Sequence, residues 1–212
     1  PQAGFWQVMS DVSKIPGVLD YAFSVMALKV VVTSLLFWIP YYVEERFDSH
    51  SSSIVSTQFF DLSLILGMGF AALLNRLIGR WVLLFLVSLV LGLVPLLAIP
   101  YSKTLGGTVS CIFLAGFLIG PAAALFAGVM SAEVGKKAKI HSDRGGIIGI
   151  ISGLIDSAGA IGSGTGQILV GALASTYGWH TVFKVLAGFV GIGAISLVRV
   201  RRMENEEVFT RK

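Results

Sequence analysis

Three charged side chains stand well inside long apolar runs of this sequence, away from the run ends where Asp20 and Lys184 lie: Lys29, Asp61 and Asp156. They are its first candidates for chemistry. An ammonium at the middle of a bilayer costs about 2.5 to 3.5 kcal/mol on insertion scales, so it must face protein or water. Lys29 lies close to the centre of its run and reads in two ways, as a ligand for an anionic substrate or as the structural partner of a carboxylate. The residues alone leave both open. Asp156, in the middle of a later run, and Asp61, nearer the end of its own, are the candidate partners. A carboxylate so placed can carry a proton, because desolvation raises its pKa, or can lock a helix pair by pairing with Lys29. For both aspartates the expectation is the structural or gating role.

Other chemistries lack an anchor. His50, His141 and His180 fall in connections and are not spaced as metal ligands, so no metal site is expected. The single cysteine, Cys111, excludes an intrachain disulfide and a cysteine-based metal site. Neither a Gly-x-Ser-x-Gly elbow in a strand context nor a His-Glu-x-x-His pair occurs, which leaves no catalytic residue to name. The stretch Gly162-Ser163-Gly164-Thr165-Gly166 has glycines enough for a phosphate-cradling loop but lacks the preceding strand, so neither a nucleotide nor any other cofactor is expected.

The elements that position these charges follow from composition. Of 212 residues 55% are hydrophobic and 13% charged, with mean hydropathy +0.82. These values lie far from those of soluble domains and point to an all-α integral membrane protein. Apolar runs at about 18–43, 54–74, 81–99, 106–131, 145–174 and 181–198 predict six transmembrane helices. Residues 1–17 form an interfacial lead-in, and 199–212 a basic tail. The 25 glycines fit helices that approach closely. Gly116, Gly120, Ala124 and Gly128 share one face of span four; Gly145, Gly149, Gly153 and Ser157 share one face of span five, with Ala158, Gly162 and Gly166 on an adjacent one. All are read as packing faces. Pro121 predicts a bend.

Lys and Arg concentrate in alternate connections: Lys14; Arg76 and Arg80; Lys136, Lys137, Lys139 and Arg144; Arg199, Arg201 and Arg202. The positive-inside rule then puts both termini in the cytoplasm and the connections 44–53, 101–107 and 175–181 on the other side. Trp38, Tyr41, Tyr42, Trp81, Tyr101 and Trp179 fit interfacial belts. A pI near 9.4 does not imply nucleic acid, because the basic residues sit between spans and not along one stripe. The chain opens on Pro1 without a signal-peptide pattern and reads as a piece of a longer protein.

Several ordered motifs carry a resemblance. Ala27-Leu28-Lys29-Val30 followed by Leu36-Phe37-Trp38-Ile39-Pro40-Tyr41-Tyr42, Ser56-Thr57-Gln58-Phe59-Phe60-Asp61, Gly120-Pro121 through Ser131-Ala132-Glu133-Val134-Gly135, and Ile155-Asp156-Ser157-Ala158-Gly159-Ala160-Ile161-Gly162 run in sequence. In this the chain resembles the organophosphate:phosphate antiporters of the major facilitator superfamily, in particular their eukaryotic glycerol 3-phosphate permease and sugar-phosphate exchanger branch. The resemblance implies the carboxy-terminal half of a twelve-helix fold. It also implies exchange of a phosphorylated metabolite for inorganic phosphate, with an amino-terminal six-helix half as partner in the bilayer. By the same resemblance Lys29, Asp156 and Ser157 line the substrate path, while Asp61, Arg76 and Arg80 serve gating or ion pairing. The chain departs from the family at Asn75-Arg76-Leu77-Ile78-Gly79-Arg80, where Asn replaces Asp and one residue is added, and at Ile119 and Ala122, which replace polar or tyrosyl residues. A non-transporting scaffold or sensor built on a transporter half, and a six-helix homodimer using two copies of Lys29, are the alternative readings.

Overall fold

The computed structural model describes residues 17–122 and 147–210, and every regular element among them is helical. The elements are α1 (Val18–Phe47), α2 (His50–Ile78), α3 (Trp81–Ala98) with a short 3-10 turn at Ile99–Tyr101, α4 (Leu105–Ala122), α5 (Ile147–Tyr177) and α6 (Trp179–Thr210). Local signals set the breaks. Asp48 takes a left-handed conformation at φ 49°, which ends α1, and the Ser49 hydroxyl then accepts from the Ser52 N–H to start α2. Gly79 at φ 67° and Gly178 at φ 76° stop α2 and α5 in the same way. Thr104 opens α4, its hydroxyl accepting from the Gly107 N–H at 3.2 Å.

Helix α1 is the centre of the bundle. It packs against α2, α5 and α6 and buries Val18, Val25, Leu28, Val31, Leu35 and Val43. The Ser24 hydroxyl donates to the Gly193 carbonyl of α6 at 3.0 Å, and a Cβ at position 193 would stand 3.0 Å from the Leu28 side chain. The α1–α5 contact is closer still. A Cβ on Gly162 would stand 2.8 Å from Met26 Cγ, and one on Gly166 would stand 3.0 Å from Val30 Cγ1. Gly116 and Gly120 of α4 pack in the same manner on Phe60, Ser63 and Leu64 of α2.

The span-five expectation needs a correction. Gly162 and Gly166 pack as their spacing implied, but Gly149 and Gly153 have nothing within 4 Å of a built Cβ, and Ser157 is exposed. A four-residue spacing repeats on any face of a helix, and among the described residues it is the Gly162–Gly166 face that is turned to α1. Gly145, Ala124 and Gly128 lie outside the described residues, as do the span-four segment 123–131, the lead-in up to residue 16, and Lys136, Lys137, Lys139, His141 and Arg144. The helix of α6 continues past its apolar part, which ends at Arg199, through Thr210.

Helices α1, α2, α4, the α3 segment to Tyr101, and Trp179–Arg199 of α6 are long and apolar enough to cross a membrane. That makes five. Helix α5 has the length and intersperses Gly, Ser, Thr, Asp and Gln among its aliphatic side chains.

Three connections meet at one end of the bundle, as the charge distribution grouped them. Arg46 donates to the Ser102 carbonyl at 2.8 Å, Trp179 Nε1 donates to Glu45 at 2.9 Å, and the Tyr101 and His180 rings lie 5.0 Å apart. The aromatics there form a packed cluster more than a belt. Trp179 lies 5.2 Å from Tyr42, which is buried, and 6.3 Å from Trp38, while Tyr41 and Tyr101 stay exposed.

Candidate functional site

Lys29 is half-buried on α1, and its side chain lies along α5. A Cβ on Gly159 would meet Lys29 Cγ at 3.2 Å and Cε at 3.6 Å, so the missing side chain of Gly159 forms the slot in which the lysine stem runs. An amphipathic stem can lie in such a slot while its ammonium reaches more polar surroundings. Asp156 and Ser157 precede that slot by less than one helical turn, and both are exposed. Asp61 is exposed on α2, and Arg76 and Arg80 are exposed where α2 gives way to α3.

Among the described residues no ion pair within 4.0 Å joins Lys29 to Asp61 or Asp156. The pairing expected from the sequence is not formed in this arrangement. Lys29 and Asp156 do flank one α1–α5 seam, whereas Asp61 occupies an open face of a different helix.

Two further polar residues belong to the seam and were missed by sequence reasoning. Thr33, one turn beyond Lys29, donates its hydroxyl to the Lys29 carbonyl at 2.6 Å, and Gln167 Nε2 donates to Thr33 Oγ1 at 3.2 Å. The Gln167 Oε1 is buried without a donor. The signal was present in the registers: Lys29 and Thr33 are four apart on α1, and Gly159, Ser163 and Gln167 run along one stripe of α5. A threonine in an apolar helix can bond to its own backbone, however, and so carries little weight when read alone.

Chemically the seam offers one cation, a hydroxyl and a carboxamide beside an open, small-residue surface on α5. It can hold an anion and donate hydrogen bonds. No group of three His, Cys, Asp or Glu able to hold a metal occurs among the described residues.

No family model matches the chain. Individual relatives do. The chain is 26% identical over 198 residues to a protein of Arabidopsis thaliana assigned as a glycerol-3-phosphate transporter, covering 90% of this chain and 40% of the relative. To sugar phosphate exchanger 3 of Homo sapiens it is 24% identical over 200 residues, 92% of this chain and 39% of the relative. To the glucose-6-phosphate exchanger SLC37A2 of Xenopus tropicalis it is 27% identical over 191 residues, 88% and 38% respectively. These relatives are transporters and exchangers, not enzymes, and the chain spans about two fifths of their length. By these matches the chain is similar to proteins named as glycerol-3-phosphate transporters and sugar phosphate exchangers.

Proposed function

We propose that this chain supplies the carboxy-terminal six-helix half of a secondary transporter that exchanges a phosphorylated metabolite for inorganic phosphate by alternating access. The observation that carries the reading is Lys29, a cation inside a membrane-spanning helix, seated in the Gly159 slot without a carboxylate within 4.0 Å among the described residues. An unpaired ammonium at that depth is stable only beside water or a ligand anion. The phosphoryl group of glycerol 3-phosphate or a sugar phosphate supplies such an anion. A divalent phosphate needs more than one cation, so an amino-terminal half brings the others and forms the second wall of the path. Helix α5, 31 residues long with Asp156 as its one charged side chain, is the sixth span, and its Gly, Ser, Thr and Gln residues suit a helix that lines an aqueous path. Both termini face the cytoplasm, which the meeting of the three Lys-poor connections at one end supports.

The test uses the full-length protein in proteoliposomes and in detergent. Lys29→Ala should abolish phosphate-ester binding and exchange while leaving the melting temperature within a few degrees of the native value. Asp156→Asn added to it should not restore binding. Undiminished binding by folded Lys29→Ala refutes the substrate role. A stability loss in Lys29→Ala that Asp156→Asn reverses shows an ion pair instead.

A further inference from the structure

Buried serines in this bundle settle their hydroxyls close to home. Ser53, Ser56 and Ser63 donate to carbonyls three or four residues back in their own helix, and Ser24 donates to Gly193 of α6. In an apolar surrounding this is the simplest arrangement, because a hydroxyl on a helix has the carbonyl of the preceding turn within reach. Ser34 departs from it. It is 1% exposed, and among the described residues its Oγ has no hydrogen-bond partner. One turn along α1, Trp38 Nε1 is buried and has no acceptor among them either. An indole N–H can only donate, and a buried one normally finds an acceptor. Leaving both groups unpaired is costly.

The two groups look toward the same place. A Cβ on Gly166 of α5 would stand 3.4 Å from Ser34 Oγ, and one on Gly171 would stand 3.2 Å from Trp38 Cζ2, the ring carbon on the Nε1 side of the indole. Ser34 and Trp38 also line one cavity of about 10 Å³, bordered by Val170 of α5 and Leu186 of α6. The other polar side chains on its wall are committed elsewhere, Tyr42 to the Ile99 carbonyl and Trp179 to Glu45. A space of about 10 Å³ accepts one water molecule and nothing larger, and a buried water needs two to four polar partners. Trp38 offers a donor, and Ser34 a hydroxyl that donates or accepts. We propose that the cavity between α1, α5 and α6 binds a single structural water, which accepts from Trp38 Nε1 and shares a hydrogen bond with Ser34 Oγ. The water completes the hydrogen bonding of α1 where it crosses α5 and holds the Trp38 indole beside Gly171. This site does not depend on what the protein transports.

Two measurements on the full-length protein in detergent test it. Val170→Ile adds one methylene where the water sits. In the native background it should expel the water, strand both polar groups and lower the melting temperature by several degrees. In a Ser34→Ala background the water has already lost one of its two partners, so the same methylene should cost much less. A dry cavity predicts equal shifts in the two backgrounds, and equal shifts overturn the proposal. The second measurement is nuclear magnetic resonance of protein with isotope-labelled indole, in which the Trp38 signal is identified by its loss in Trp38→Phe. The buried Trp38 N–H should show a cross-peak to water with the sign of direct dipolar contact, and Ser34→Ala should weaken it. If Val170→Ile does not fold, this spectrum decides alone: a native Trp38 N–H without that cross-peak, or one that Ser34→Ala leaves unchanged, overturns the water site.

Discussion

Two glycines of α5, one turned to α1 and one turned away, should respond oppositely to the same substitution. At Gly162 a methyl group would stand 2.8 Å from Met26 Cγ and 3.0 Å from the Met26 carbonyl carbon, with the carbonyl oxygen nearer still. Ordinary contact begins at 3.4 Å. The Met26 side chain can swing aside, but its backbone belongs to a continuous helix, so Gly162→Ala must push α5 from α1 by about half an ångström or more. Overpacking of this kind costs about 1–3 kcal/mol. The contacts of Gly159, Gly166 and Gly171 along the same seam loosen with it. At about 2–4 °C in melting temperature per kcal/mol, a fall of about 2–12 °C is expected. Gly153 has nothing within 4 Å, and Gly153→Ala gains up to about 1 kcal/mol in helix propensity without a clash. Heating the purified full-length variants in detergent and following the monodisperse fraction by size-exclusion chromatography measures both. Should Gly162→Ala prove as stable as Gly153→Ala, the close α1–α5 approach is not the geometry of the folded protein.

Gly159→Val should displace the Lys29 stem, and the lost charge-assisted hydrogen bonding of about 1.5–3 kcal/mol predicts a 10- to 150-fold weaker affinity for inorganic phosphate; an unchanged dissociation constant by radiolabelled phosphate binding would contradict the slot. Cysteines at Ser51 and Lys139 in a Cys111→Ala background should react with an impermeant maleimide from opposite faces of sealed vesicles, and labelling from the same face would overturn the topology. Trp179→Ala removes a ring packed on Trp38, Tyr42 and Phe183 together with its bond to Glu45, and should lower stability by about 3 kcal/mol in thermal melts, whereas Tyr101→Ala, exposed at the same end, should change it little.

Much of the architecture was legible because hydrophobic length is a robust signal. The starts of α1 and α3 at Val18 and Trp81 agree with the apolar runs, and α2 extends its run to His50 and Ile78 because Ser49 and Gly79 set the ends. The break near residue 48 was legible only approximately: Glu44 to Phe47 are polar or interfacial yet helical, and it is Asp48 in the left-handed region that terminates α1. What the sequence could not show was which face of a glycine-rich helix meets a neighbour. Gly145-Gly149-Gly153 and Gly162-Gly166 have the same spacing, and the choice is made by α1, whose Met26 and Val30 backbone offers a flat surface to the second set alone. The Thr33–Gln167 bond escaped for a similar reason, since it joins residues 134 apart in the chain. Lys29 was legible from its cost and place: the other charged residues of α1, Asp20, Glu44, Glu45 and Arg46, lie in its first or last turns.

The open surfaces of α2 and α5 differ in what they can face. On α5 most exposed residues, such as Gly153, Asp156, Ser157, Ala160 and Gly164, are small or polar, with Ile161 and Ile168 exposed among them. On α2 they are chiefly large and apolar: Ile54, Phe59, Leu62, Ile65, Leu66, Phe70 and Leu73, with Asp61 among them. A surface of glycine, serine and carboxylate gains little from hydrocarbon and loses about 2.5–3.5 kcal/mol if Asp156 stays ionised against it. The same surface against water costs little, and against another helix its small residues permit close approach. Large aliphatic and aromatic side chains have the opposite balance, which suits lipid along most of α2 and protein or water at the level of Asp61. The bundle therefore has one side built for lipid and one that must meet water or protein, and the Lys29 seam opens on the second. A cation, a carboxylate and a hydroxyl–carboxamide pair gathered on the side that lipid cannot cover is the asymmetry expected of one wall of an aqueous path, and a bundle surrounded on all sides by lipid would have no reason to keep it.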